Sequence, residues 1–205
     1  MQSDRDVKVW DPLVRVFHWS LVAAFAVAYL SGDDLEQVHV LAGYTVVGLV
    51  AFRLVWGFVG TRHARFSAFV RGPLAVFTYL RELATFKAPR HLGHNPAGGA
   101  MIVTLLVLLA LTTLTGLMTY GADGHGPLAG LMAHFGDPGF MAAWADDDEL
   151  FERGGKAGEW LGDVHEFFAN FTVFLVAVHV GGVLLESLVH NENLVRAMFT
   201  GRKRG

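Results

Sequence analysis

The sequence predicts an all-α membrane protein: a four-transmembrane-helix bundle with an interfacial cytoplasmic helix between spans 2 and 3. Three observations carry that expectation. Four apolar stretches are each long enough to cross a bilayer. Basic and base-poor connections alternate between them. Four histidines fall in these stretches at depths that match in pairs.

The spans are expected at about residues 13–31, 38–59, 98–120 and 160–189. Each has about the 20 apolar residues that a ~30 Å hydrocarbon core requires. Of the 205 residues, 53% are apolar and 17% charged, with a net charge of −3, which is not the balance of a soluble domain. The N-terminal MQSDRDVKVWDPLVRVFHW lacks a basic region followed by a small-residue cleavage site, so no removable signal peptide is expected. There is no cysteine, which excludes disulfides, thiolate zinc sites, cysteine-held iron–sulfur clusters and CxxCH haem attachment. Any cofactor must be held without a covalent link, by histidine or carboxylate.

Charge sets the expected orientation. Arg62, Arg65, Arg71, Arg81, Lys87 and Arg90 lie between spans 2 and 3, against the single acid Glu82. The tail carries Arg196, Arg202, Lys203 and Arg204, and Arg5, Lys8 and Arg15 precede or open span 1. The first loop has Asp33, Asp34 and Glu36 and no base. The third has Asp146, Asp147, Asp148 and Glu149 with only Arg153 and Lys156. The positive-inside rule puts both termini and the 60–97 connection in the cytoplasm. Within that connection Phe66, Phe69, Val70, Leu74, Phe77, Leu80 and Leu83 recur every three or four residues. This spacing predicts an amphipathic surface helix that begins or breaks near Gly72-Pro73.

His18, His39, His165 and His179 lie within or at the edges of spans, where ionisable residues are rare and usually functional. His165 and His179 are 14 residues apart, nearly four helical turns, so they share a face about 21 Å apart along the axis. His18 is separated from the outer end of span 1 by a similar 13 residues. Depth therefore pairs His18 with His179 near the cytoplasmic side and His39 with His165 near the outer side. Paired imidazoles from facing helices can fill both axial positions of a haem iron, an arrangement suited to electron transfer. Gly43, one turn from His39, and Gly182, near His179, would let a flat macrocycle approach. Arg53, 14 residues after His39, is placed to meet haem propionates. His63, His91, His94, His125 and His134 fall in loops and read as solvated. His190, at the cytoplasmic edge, reads as a surface group or a quinone contact.

The motifs VWDPLVRVFHW, VHVLAGYTVVGLVAFRLVWGFVGTRHARF, GHNPAGGAM and VHEFFANFTVFLVAVHVGGVLLESLVHNENLVRAM together resemble the bacterial cytochrome b-561 family. Within it they resemble the cytochrome b subunits of nickel–iron hydrogenases. The resemblance covers nearly the whole chain. It implies one domain, residues 1–205, in the inner membrane, holding two non-covalent, bis-histidine haem b groups and exchanging electrons with quinone. The family's ligand positions fall on His18, His39, His165 and His179. The expected partners are membrane lipid, quinone and a periplasmic redox protein, either a hydrogenase or a c-type cytochrome. A homodimer is a further expectation, and nucleic acid is not among the partners. The acidic run Asp146–Glu149 would then be a landing site for a cationic redox protein. Two rivals remain open: a stand-alone superoxide–quinone oxidoreductase, disfavoured by the acidic outer loops, and a non-redox metal transporter or membrane anchor.

Overall fold

A computed structural model describes residues 6–32, 34–135 and 149–204. Four long helices dominate: α1 (Pro12–Leu30), α2 (Glu36–Val59), α5 (Pro96–Ala122) and α7 (Glu149–Val189). Each holds a stretch long and apolar enough to cross a membrane; in α7 it is Trp160–Val189. Even the shortest, at 19 residues, is about 28 Å long, close to the ~30 Å hydrocarbon thickness. Short elements connect them: α3 (Phe66–Phe69), α4 (Pro73–Ala84), α6 (Ala129–Phe135) and α8 (Leu194–Thr200). Two-residue strands, β1 (Val7–Lys8) and β2 (Arg202–Lys203), complete the set. The chain divides into two compact units, residues 1–107 with 173–205 and residues 108–172.

The first unit contains both chain termini. β1 and β2 pair antiparallel, Val7 opposite Lys203 and Lys8 opposite Arg202. The amides of Val9 and Trp10 both donate to the carbonyl of Gly201. Gly201 has φ +78°, and a side chain there would stand 2.7 Å from the Trp10 carbonyl, so glycine suits the turn on both counts. Arg15 donates to the Phe199 carbonyl at the end of α8, and Trp19 stacks on the Phe199 ring at 4.3 Å. Glu192 accepts from Arg90 at 2.9 Å and Lys203 at 3.2 Å, tying the tail to the connection before α5.

The sequence explains the helix starts. Pro12 and Pro73 occupy the first turns of α1 and α4, where the missing N–H has no intrahelical partner to lose. Asp11 caps α1 by accepting from the Val14 amide at 2.9 Å, and its other oxygen accepts from Thr61 and from Trp56 at 3.4 Å. Asn95 caps α5 by accepting from the Gly98 amide at 2.6 Å, while its NH₂ donates to Glu186 of α7. α4 begins at the Gly72-Pro73 break. It buries Tyr79 and Leu83 against Ala88, Ala97 and Val189, and leaves Leu74 and Phe77 exposed.

Burial raises the Asp11 carboxyl pKa, but hydrogen bonds from Thr61, the Val14 amide and Trp56 outweigh it and hold the group below its ordinary value. A carboxyl lowered on folding stabilises above its unfolded pKa of about 3.9, and that contribution is lost as pH falls through the folded value. Asp11→Ala is expected to cost about 1 kcal/mol at pH 7, typical for a lost N-cap. The thermal unfolding midpoint in detergent should drop at pH 7, and the gap to wild type should close under acid. A gap independent of pH would sink the assignment.

α7 starts at Glu149, well before the expected span start near residue 160. The GGKAG stretch reads as a loop by propensity, yet the helix runs through it.

Candidate functional site

In the first unit, α1 and α2 are neighbours, in contact through the Phe17 and Phe52 rings at 6.2 Å. His18 on α1 and His179 on α7 are both half-buried and lie within electrostatic reach of each other. His18 meets the Trp19 ring edge-on at 5.0 Å. Its Nδ1 is buried and has no hydrogen-bond partner among the described residues. Arg53 on α2 is 3% exposed, deeper than any other arginine described. Its guanidinium lies 5.0 Å from the Phe66 ring centre and 5.8 Å from that of Phe69, and its Nη1 also lacks a hydrogen-bond partner. Buried polar groups left unpaired carry a desolvation cost, so these atoms mark a place where a polar ligand fits.

His39 also belongs to this unit. Its Nδ1 lies 2.8 Å from the Ala28 carbonyl of α1. A proton on Nδ1 satisfies that carbonyl and makes Nε2 the lone-pair nitrogen, the tautomer a metal ligand requires. A side chain added at Gly43, Gly181 or Gly182 would meet no heavy atom within 4 Å.

In the second unit, His165 on α7 repeats the pattern. Its Nδ1 is 2.8 Å from the Thr112 carbonyl of α5 and 3.4 Å from the Thr115 hydroxyl. Thr112, Thr115 and Thr172 are buried, and each hydroxyl returns to a carbonyl one turn back, as polar groups at membrane depth must. A Cβ on Gly116 would stand 2.9 Å from Cε1 of His165. The imidazole thus rests against bare backbone.

The family model described as prokaryotic cytochrome b561 matches residues 9–201. The chain belongs to the prokaryotic cytochrome b561 family. Three relatives are each called a probable Ni/Fe-hydrogenase B-type cytochrome subunit. That of Bradyrhizobium diazoefficiens is 23% identical, covering 97% of this chain and 86% of its own. That of Azotobacter vinelandii is 26% identical over 95% and 87%. That of Rhodobacter capsulatus is 23% identical over 96% and 81%. No solved structure matches the chain.

A prokaryotic cytochrome b561 is a b-type cytochrome, which implies haem b, and the four apolar helices make this one a multi-pass membrane protein. The residues present fit the cofactor. Haem b needs imidazole lone pairs, room for a flat ring and partners for its propionates. His18 and His179 lie within electrostatic reach of each other in the first unit, which also holds the buried Arg53, its Nη1 without a hydrogen-bond partner among the described residues. His39 and His165 lie in different units and are each anchored through Nδ1.

Several features of this b561 chain escaped the sequence reading. Gly116 and the carbonyls of Ala28 and Thr112 support the imidazoles, and a backbone carbonyl has no signature in residue type. His94, expected to be solvated, sits instead with its ring 4.4 Å from Trp10 and 4.7 Å from Phe69, its Nδ1 buried. Its place in GHNPAGGAM was the available signal. His125 and His134 are exposed as expected, whereas His63 and His91 are half-buried. His190 is also half-buried, with Nε2 lacking a hydrogen-bond partner among the described residues. The acidic run Asp146–Glu149 lies outside the residues whose side chains are described.

Proposed function

We propose that this chain is a di-haem b cytochrome that carries electrons across the bacterial inner membrane between a periplasmic redox partner and the quinone pool. The observation that carries the reading is His18 within electrostatic reach of His179, in the same unit as a buried Arg53 whose Nη1 has no hydrogen-bond partner among the described residues, in a membrane-spanning b-type cytochrome. His18 and His179 would supply the axial nitrogens of one haem b, with Arg53 meeting a propionate. His39 and His165 would supply those of a second, a pairing that rests on depth in the sequence. The haem carries the electron; the protein sets ligation, spacing and burial. Quinone takes up two electrons and two protons to become quinol, and the reverse reaction releases them.

The names of the relatives support a nickel–iron hydrogenase as the periplasmic partner. A soluble c-type cytochrome is the alternative. The distribution of Lys and Arg supports cytoplasmic termini. The exposed Leu74 and Phe77 with Arg71 and Arg81 support α4 as a helix lying on the membrane surface.

A reduced-minus-oxidised spectrum of the purified protein is expected to show b-type bands, and a haem assay to return two haem b per chain. One haem per chain would overturn the di-haem reading, and none would overturn the whole of it. A reporter fused after Gly205 is expected on the cytoplasmic side; the opposite result would invert the orientation and leave the ligand pairs intact.

A further inference from the structure

We propose that His94 joins Arg53 in a cradle for one carboxylate, a propionate of the haem held between His18 and His179. The inference rests on the function proposed above and adds a residue that neither the periodicity nor the depth argument reaches. Two buried nitrogens without a hydrogen-bond partner among the described residues border the same ring, Phe69. Arg53 Cζ lies 5.8 Å from its centre, and the His94 ring lies 4.7 Å from it. His94 also meets Trp10 at 4.4 Å, so its position is fixed by packing.

Arg53, Lys203, His63 and His179 all act on His94. Asp11 is the acid that acts on Arg53, but its carboxylate already accepts hydrogen bonds from the Val14 amide, Thr61 and Trp56. Lys203 is already engaged by Glu192. A buried guanidinium without its own carboxylate is costly, and a planar carboxylate is what its geometry matches best. Burial first, and then Arg53 and Lys203, push the His94 pKa down to about 3, so the imidazole is neutral at working pH. It therefore enters as a hydrogen-bond donor through Nδ1–H. Arg53 supplies the charge, and His94 supplies direction.

The test uses the intact, haem-loaded protein. His94→Phe keeps the ring and removes the donor, and His94→Gln keeps an N–H. The readouts are haem per chain, the midpoint potential of each haem by redox titration, and the propionate bending modes by resonance Raman. With the donor gone the propionate charge is less compensated, which favours ferric iron. The Phe variant is expected to keep both haems, to lower the midpoint of the His18/His179 haem alone and to shift one propionate mode; Gln should restore part of both. Should Phe not assemble, His94→Leu reads the same two signals. Unchanged midpoint and Raman modes, or an equal shift in both haems, would overturn the cradle. A wild-type protein without two haems would instead overturn the function it rests on, so the two failures are distinguishable.

Discussion

Alanine at His18 or at His179 is expected to halve the haem content of the purified protein, removing one b haem and leaving the other. Each imidazole would supply one of two axial bonds, and no other histidine in the first unit is placed on α1 or in the apolar part of α7. Losing a supporting partner of a metal ligand typically costs roughly 10–100-fold in affinity. Losing the ligand itself should cost more, enough to empty the site during purification. The control is added imidazole, which can enter the space left by alanine and restore a low-spin spectrum. Restoration separates lost ligation from lost folding. A full complement of low-spin haem in either variant would strike that residue from the ligand set.

The second large effect is expected from a residue that bears no polar side chain. A Cβ at Gly116 would lie 2.9 Å from Cε1 and 3.1 Å from Nδ1 of His165. Those are ring atoms, and the ring is held by the Thr112 carbonyl at 2.8 Å. The imidazole must therefore turn or leave. Gly116→Ala should disturb the spectrum of the second haem proposed for His39 and His165, and Gly116→Val should abolish it while sparing the haem proposed for His18 and His179. Gly130→Ala, in the same unit with nothing within 4 Å of the added carbon, serves as control. Wild-type spectra for both haems in Gly116→Val would show that His165 does not ligate from this position.

These cases mark what a sequence can disclose. The four spans were legible because membrane crossing leaves a signal of length and apolarity. The observed helices Pro12–Leu30, Glu36–Val59 and Pro96–Ala122 lie within about two residues of the expected bounds. The start of α4 was legible because proline at a first turn has a fixed meaning. The pairing of β1 with β2 was not, since two-residue strands carry no alternation. His94 was misread because the rings that bury it, Trp10 and Phe69, are remote in sequence. The support of His39 and His165 by carbonyls was invisible for a different reason: every residue has a carbonyl, and only geometry selects one.

The small sheet formed by β1 and β2 has a consequence for membrane topology. Backbone hydrogen bonds cannot reach through a bilayer, so Val7 and Lys203 must share one side of it. This is a parity condition: between residues 8 and 202 the chain must cross an even number of times, whichever side the ends occupy. Four crossings satisfy it. Three do not, so a variant in which one helix fails to insert would forfeit the strand pair, the Arg15 bond to Phe199 and the Trp19–Phe199 stack together. The sheet thus acts as a parity check on insertion, closing only when the count of crossings is even.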